Sequence, residues 1–82
     1  MLTGTIVAIN HQTGMFLVRI DDGDFVVFEL LDSIDLETNS KVSGNLDALG
    51  SETLLYLDTG EAFEAFGQSG PTSVAGGQGL LG

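Results

Sequence analysis

Apolar and polar residues alternate along the first part of the chain in short runs, each closed by turn-forming residues. Residues 2–9 (LTGTIVAI), 15–20 (MFLVRI) and 25–31 (FVVFELL) are rich in β-branched and aromatic side chains, which is typical of strands. The connections NHQTG and DDGD supply turn residues, and Gly23 is placed for a positive φ in the second of them. The pattern predicts three strands joined by two turns.

The pattern continues with shorter runs in the second half of the chain. Residues 41–46 (KVSGNL) and 53–57 (TLLYL) predict a fourth and a fifth strand, while 61–66 (EAFEAF) fits either a short sixth strand or a helical turn. No segment keeps an apolar period of about 3.6 residues over the length of a helix. Many short strands separated by turns predict an all-β fold, a small five-stranded antiparallel barrel with a possible sixth strand.

The composition changes at Gly67. The last sixteen residues, GQSGPTSVAGGQGLLG, contain six glycines and no charged residue, and Leu80 and Leu81 are the large apolar residues near their end. Such a composition is typical of flexible segments, because it buries too little apolar surface to offset the entropy lost on ordering. We therefore predict a barrel domain over residues 1–66 and a flexible glycine-rich tail over residues 67–82.

Four short motifs follow one another in the first 28 residues. They are Gly4 with a β-branched run and Asn10, the stretch TGMFLV at 13–18, the turn DDG at 21–23, and DFVVF at 24–28. In this order they resemble the first three strands of a cold-shock domain, a five-stranded barrel of the OB-fold class. The resemblance implies an OB-like barrel, and an SH3-like barrel is the alternative topology.

The resemblance also implies a set of binding positions on the second and third strands. In cold-shock domains, outward-facing aromatic rings at these positions stack on the bases of single-stranded nucleic acid, and nearby lysines hold the phosphates. The corresponding residues here are Met15, Leu17, Val26 and Phe28, and only Phe28 is aromatic. Alternation along the strands makes these four an aliphatic outer face. The same alternation predicts that the intervening residues point into the barrel: Phe16, Val18, Ile20, Phe25, Val27 and, further along, Glu29 near the rim.

An aliphatic outer face on a small protein usually marks an interface. Three occupants could cover it: a second copy of the chain in a homodimer, a partner protein, or the chain itself through residues 61–66 or through Leu80 and Leu81. We therefore expect a non-enzymatic interaction module that uses this face for self-association or protein binding. The alternative function, implied by the resemblance, is binding of single-stranded nucleic acid.

The charge balance separates these two functions. Twelve Asp and Glu residues are set against only Arg19 and Lys41, which gives a net charge of −10 at pH 7. A field of this sign repels nucleic-acid phosphates and anionic membranes, and it attracts basic proteins. We expect a homodimer or a protein partner, and neither nucleic acid nor a membrane.

Few residues offer chemistry beyond binding. His11, the single histidine, lies in a polar turn with no nucleophile motif beside it. Asp21, Asp22 and Asp24 do not have the spacing of a calcium loop, and the glycines near the C-terminus neither follow a strand nor open a helix, as a phosphate loop would. We expect no enzymatic activity, no metal, no cofactor and no small-molecule substrate.

The sequence also bears on location. It contains no cysteine, no basic segment ahead of an apolar run at its start, and no apolar run of the roughly 20 residues that span a bilayer. We expect a cytoplasmic protein.

Overall fold

Six strands make up the computed structural model, which describes residues 2–72 and, for residues 69–72, the backbone only. The strands are β1 (Leu2–Asn10), β2 (Met15–Ile20), β3 (Phe25–Leu30), β4 (Lys41–Gly44), β5 (Gly50–Tyr56) and β6 (Glu61–Thr72). The all-β prediction is confirmed. Residues 61–66, for which the sequence allows a strand or a helical turn, belong to a strand, so the barrel has six strands rather than five.

The strands form a closed antiparallel barrel in the order β1-β2-β3-β6-β5-β4, with β4 pairing back to β1. The chain thus makes two three-stranded meanders, which are joined by residues 31–40. These residues lead from β3 to β4 on the opposite side of the ring, and Leu36 is buried in the core on the way. They therefore cross one end of the barrel. The architecture is compatible with an OB-like fold.

Aromatic rings fill the centre of the barrel. Phe16 stacks on Phe28 with ring centroids 5.8 Å apart, and Phe63 lies 6.2 Å from Phe16. Tyr56 meets Phe63 edge to face at 6.5 Å. Such pairs contribute about 0.5–1.5 kcal/mol each beyond the burial of their surface. The hydroxyl of Tyr56 donates a hydrogen bond to Ser40 Oγ, which donates in turn to Asp58 Oδ2, so this buried polar group is satisfied.

The predicted faces are correct for β2 and wrong for β3. Phe16, Val18 and Ile20 point into the barrel as expected. On β3, however, Val26 and Phe28 lie in the core, while Phe25 and Val27 lie outside it. Glu29, expected to point inward, pairs with Met15 and likewise faces outward.

The turn between β2 and β3 explains this difference. Ile20 N donates to Asp24 O and Gly23 N donates to Ile20 O, so the hairpin closes on a loop of residues 21–23, with Gly23 at a φ of 102°. The closing pair places Phe25 opposite Arg19 and Phe28 opposite Phe16. Directly opposed residues of an antiparallel pair share a face, so the inward ring of Phe16 requires an inward Phe28. A loop one residue longer or shorter would reverse this assignment.

The strand β6 continues past residue 66, the predicted end of the barrel domain. Its first part pairs with β5, and its later part pairs with β3 up to the partners Phe25 and Thr72. Gly67 pairs with both neighbours, and a Cβ at this position would lie 2.4 Å from the carbonyl oxygen of Ala48. Glycine therefore lets β6 pass the β4–β5 connection. Pairing with β3 extends β6 to Thr72. Residues 73–82 of the predicted tail lie outside the described residues.

Candidate functional site

A second apolar cluster lies on the outside of the barrel, separate from its core. We call it the outer patch, and it consists of Val7, Ala8, Met15, Leu17, Phe25 and Val27. Leu17 and Val27 are direct cross-strand partners at its centre, and Ala8 pairs with Leu17 from the other side. The patch thus spans three adjacent strands, β1 to β3.

A bulge in β1 widens the patch. The register between β1 and β2 shifts between Ile6 and Ala8, which leaves Val7 without a direct partner on β2. Ile6 belongs to the core, whereas Val7 and Ala8 both contact the outer cluster. A bulge places two residues opposite one and redirects side chains in this way. Two consecutive apolar residues therefore reach the same outer surface.

The structure brings together two of the four predicted binding residues. Met15 and Leu17 belong to the outer patch, as expected. Val26 and Phe28 are fully buried in the barrel core and are not available to a partner. Their places on the outside are taken by Phe25 and Val27, because the face of β3 is the opposite of the one expected. The sequence signal that could have shown this is the three-residue loop at 21–23.

The centre of the outer patch is completely shielded. Leu17 and Val27 are 0% exposed although they lie outside the barrel. Leu55, which points outward from β5 between the small residues Ser43 and Ala62, is 37% exposed. Other outward or loop leucines are more open still: Leu57, Leu31 and Leu49.

Charged groups border the patch on two sides. Arg19 is exposed beside Phe25, its partner on β3. Glu29, next to Met15, accepts a hydrogen bond of 3.1 Å from Gln68 Nε2. The ion pair of Lys41 with Asp21 is 3.9 Å long and exposed on both sides, so its contribution to stability is small. The edge of the patch therefore carries positive and negative side chains, although the protein as a whole is strongly negative.

The acidic turn at 21–24 is built from its own contacts. Asp22 Oδ1 accepts a hydrogen bond of 3.1 Å from Asp24 N, and all three carboxylates of the turn are exposed. Within residues 2–72, His, Asp and Glu side chains form no group of three or more that could hold a metal ion. The role of Asp22 is thus that of a turn-forming side chain.

A small cavity opens at the end of the barrel that residues 31–40 cross. Its volume is about 80 Å³, and it is lined mainly by Ile9, Phe16, Leu30, Ile34 and Leu36, with His11 and Asp35 at the rim. Ligand pockets usually enclose about 300–1,000 Å³. A wider depression of about 500 Å³ beside it shares His11 and Asp35 but is open to solvent. Neither has the enclosed volume that would bury a metabolite.

The fold and its surface thus define a small closed β-barrel with a shielded apolar patch on its outer wall. Among the described residues, no helix has the length and apolar character needed to cross a membrane. No protein-family model matches the chain, and neither a curated protein nor a solved structure matches it.

Proposed function

We propose that this barrel is a non-enzymatic, OB-like interaction module that binds a basic partner protein through the outer patch. The observation that carries the proposal is the second apolar cluster on the outside of β1–β3. Small proteins rarely place a contiguous apolar surface outside their core unless something binds there. Leu17 and Val27 are fully buried at its centre, and a partner would contact the partly buried residues around them: Val7, Ala8, Met15 and Phe25.

The charge of the protein favours a basic partner over a second copy. Two chains of net charge −10 repel each other on approach, whereas a basic protein is attracted. Complementary charge mainly accelerates association and selects the partner, while buried apolar contacts slow dissociation. The patch is apolar, and the rest of the protein is acidic. A partner that carries apolar residues within a basic surface would complement both. A cytoplasmic location is part of this proposal.

The arrangement of polar residues supports binding rather than catalysis. His11 lies beside an 80 Å³ cavity that Asp35 also lines, apart from the outer patch. The outer patch itself contains no titratable side chain. A surface of this composition can bind but offers no group for proton transfer.

A binding comparison with matched variants tests the proposal. Met15→Asp places a charge at the partly exposed edge of the patch, and Leu55→Asp places the same charge on the outer face of β5. The immobilised wild-type chain should retain a basic protein, and added salt should weaken this retention. The Leu55→Asp variant should retain the protein equally well, whereas the Met15→Asp variant should not retain it. Equal loss in both variants, or retention by Met15→Asp, would contradict the proposed surface. Sedimentation of the purified chain as a dimer that Met15→Asp dissociates would replace the basic partner by a second copy.

The cold-shock resemblance leads to a separate prediction about nucleic acid. We expect no measurable binding of single-stranded DNA or RNA at physiological salt. Base stacking contributes about 1–3 kcal/mol per base and requires rings, but Phe28, the one ring among the stacking positions, is buried in the core. Arg19 and Lys41 are the two basic side chains of the sequence, and Lys41 lies 3.9 Å from Asp21, so little counterion release is available.

Fluorescence titration of a labelled oligonucleotide measures this directly. Lower salt should not restore binding, because a longer screening length strengthens the repulsion from a protein of net charge −10. Micromolar affinity that Phe25→Ala abolishes would contradict the prediction, since Phe25 is the ring that the outer patch does present.

A further inference from the structure

The cavity at the end of the barrel is framed by backbone hydrogen bonds between the β1–β2 turn and β3. Gly14 N donates to Asn10 O at 2.9 Å, and Leu30 N donates to Gly14 O at 2.8 Å. Gly14 has a φ of 79° and carries no side chain, so this part of the turn lines the cavity with backbone alone. The cavity is therefore a preformed feature of the fold.

The side chains that line the cavity are mostly apolar. Ile9, Leu30 and Ile34 are partly buried and pack against the core. Phe16 and Leu36 are buried and complete the apolar lining. A water molecule beside these side chains finds few of the polar partners that it needs. An apolar group would therefore fill the space more favourably than water does.

The volume of the cavity limits the group that can enter it. An engineered apolar cavity of about 150 Å³ binds benzene. The cavity here measures about 80 Å³, which by the same proportion is room for about three or four carbon atoms. This is the size of a valine or leucine side chain and not of a whole metabolite.

The open depression that adjoins the cavity is acidic. It shares His11, Asp35 and Leu36 with the cavity and adds Glu37 and Thr38. The carboxylates of Asp35 and Glu37 are exposed, so they can pair with cations. Neither the arginine nor the lysine of the sequence lines either space. The end of the barrel thus combines a small apolar cavity with two carboxylates beside it.

We propose that this end of the barrel is a binding site for an extended basic peptide segment. One valine or leucine side chain of the peptide enters the cavity, and lysine or arginine side chains beside it pair with Asp35 and Glu37. The residues that line the cavity and the depression are all different from those of the outer patch. The site is therefore separate from the outer patch and does not rest on the proposed function.

A second copy of the chain does not match this occupant. It carries the same net charge of −10, which opposes its approach to an acidic site. Its two basic side chains belong to strands of the barrel wall, Arg19 to β2 and Lys41 to β4. Neither can be offered on an extended segment while the barrel stays folded. An external basic peptide is therefore the occupant that the charge favours.

NMR titration of the full-length chain with three matched peptides tests the proposal. The peptides carry a central leucine between lysines, a central alanine between lysines, and a central leucine between glutamates. The first should shift the methyl signals of Ile9, Leu30 and Ile34 and leave Leu55 unchanged. It should bind at least about tenfold more tightly than the alanine peptide, which leaves most of the cavity empty. The glutamate peptide should not bind.

Two pairs of variants locate the site. Ile34→Phe adds a ring in the lining of the cavity, whereas Leu31→Phe adds it at an exposed position of the same connection. Ile34→Phe should abolish binding of the leucine peptide, and Leu31→Phe should retain it. Asp35→Lys and Asp47→Lys change the net charge equally, but Asp47 lies outside the site. The first should weaken binding about fivefold or more and the second about twofold or less. Unchanged core methyl signals show that each variant is folded.

Four results would overturn the proposal. They are equal affinity for the leucine and alanine peptides, equal weakening by the two lysine variants, no shift at millimolar peptide, and cavity signals that change with protein concentration alone, as a second copy would cause. Shifts confined to Val7 and Met15 would also reject this site, because the peptide would then bind the outer patch and the proposed function would stand. Shifts at Ile9, together with partner binding that Met15→Asp does not reduce, would reject the proposed function and support this site.

Discussion

Phe28→Ala should destabilise the barrel by about 3–5 kcal/mol, the usual cost of removing a fully buried phenylalanine ring. Phe28 is 0% exposed and stacks on Phe16 at a centroid distance of 5.8 Å, so the substitution removes a contact from the central aromatic group and leaves a cavity beside it. A domain of this size has a total stability of about 5–15 kcal/mol at most, and the loss is a large part of it. Phe28→Asp should prevent folding altogether, because it buries an unpaired charge.

Phe66 provides the matched control. It lies on β6, next to the Gly67 that pairs with Phe28, but it faces outward and is 40% exposed. Phe66→Ala removes the same ring and should cost far less, about 1 kcal/mol or below, as surface substitutions usually do. Urea titration followed by far-ultraviolet circular dichroism measures both values. Equal losses would mean that Phe28 does not face the core, and the outward assignment suggested by the cold-shock resemblance would then be correct.

The contrast between β2 and β3 shows where sequence reasoning succeeds on this chain. On β2, Arg19 is a polar residue that must face water, and it marks the outer face for the whole strand. On β3, the residues from Phe25 to Phe28 are all apolar, so alternation contains no mark that distinguishes inside from outside. The face was decided by the length of the loop at 21–23 and by the pairing of Phe28 with Phe16. Pairing across strands is non-local information that a pattern within one strand does not contain.

The same limit applies to the outer patch. Met15 and Leu17 could be assigned from alternation on β2, whereas Val7 and Ala8 reach the patch through a bulge that the run TIVAI does not reveal. The boundary at residue 66 follows from composition, since glycine and uncharged residues disfavour an isolated strand. Pairing of β6 with β3 overrides that preference up to Thr72. Local composition therefore located the strands, and contacts distant in sequence determined the faces and the end of the barrel.

Gly67→Ala should destabilise the barrel strongly for the addition of a single methyl group. The new Cβ would lie 2.4 Å from Ala48 O and 3.1 Å from Leu49 Cα, and both are backbone atoms that no side-chain rotation can move away. Overpacking typically costs about 1–3 kcal/mol, and we expect the upper end of this range because the β4–β5 connection or β6 itself must shift.

Gly60→Ala is the appropriate comparison for this last prediction. Gly60 has a φ of 78°, so alanine there is strained, but its Cβ would meet nothing within 4 Å. We expect a cost of about 1–2 kcal/mol from the backbone conformation alone, less than at Gly67. The two variants should also lose hydrogen-exchange protection in different regions. Gly67→Ala should weaken it in β3 opposite the end of β6, at Val27 and Phe25, whereas Gly60→Ala should weaken it in the β5–β6 turn. Equal stability losses for the two variants, with protection at Val27 unchanged, would show that β6 does not pass Ala48 so closely.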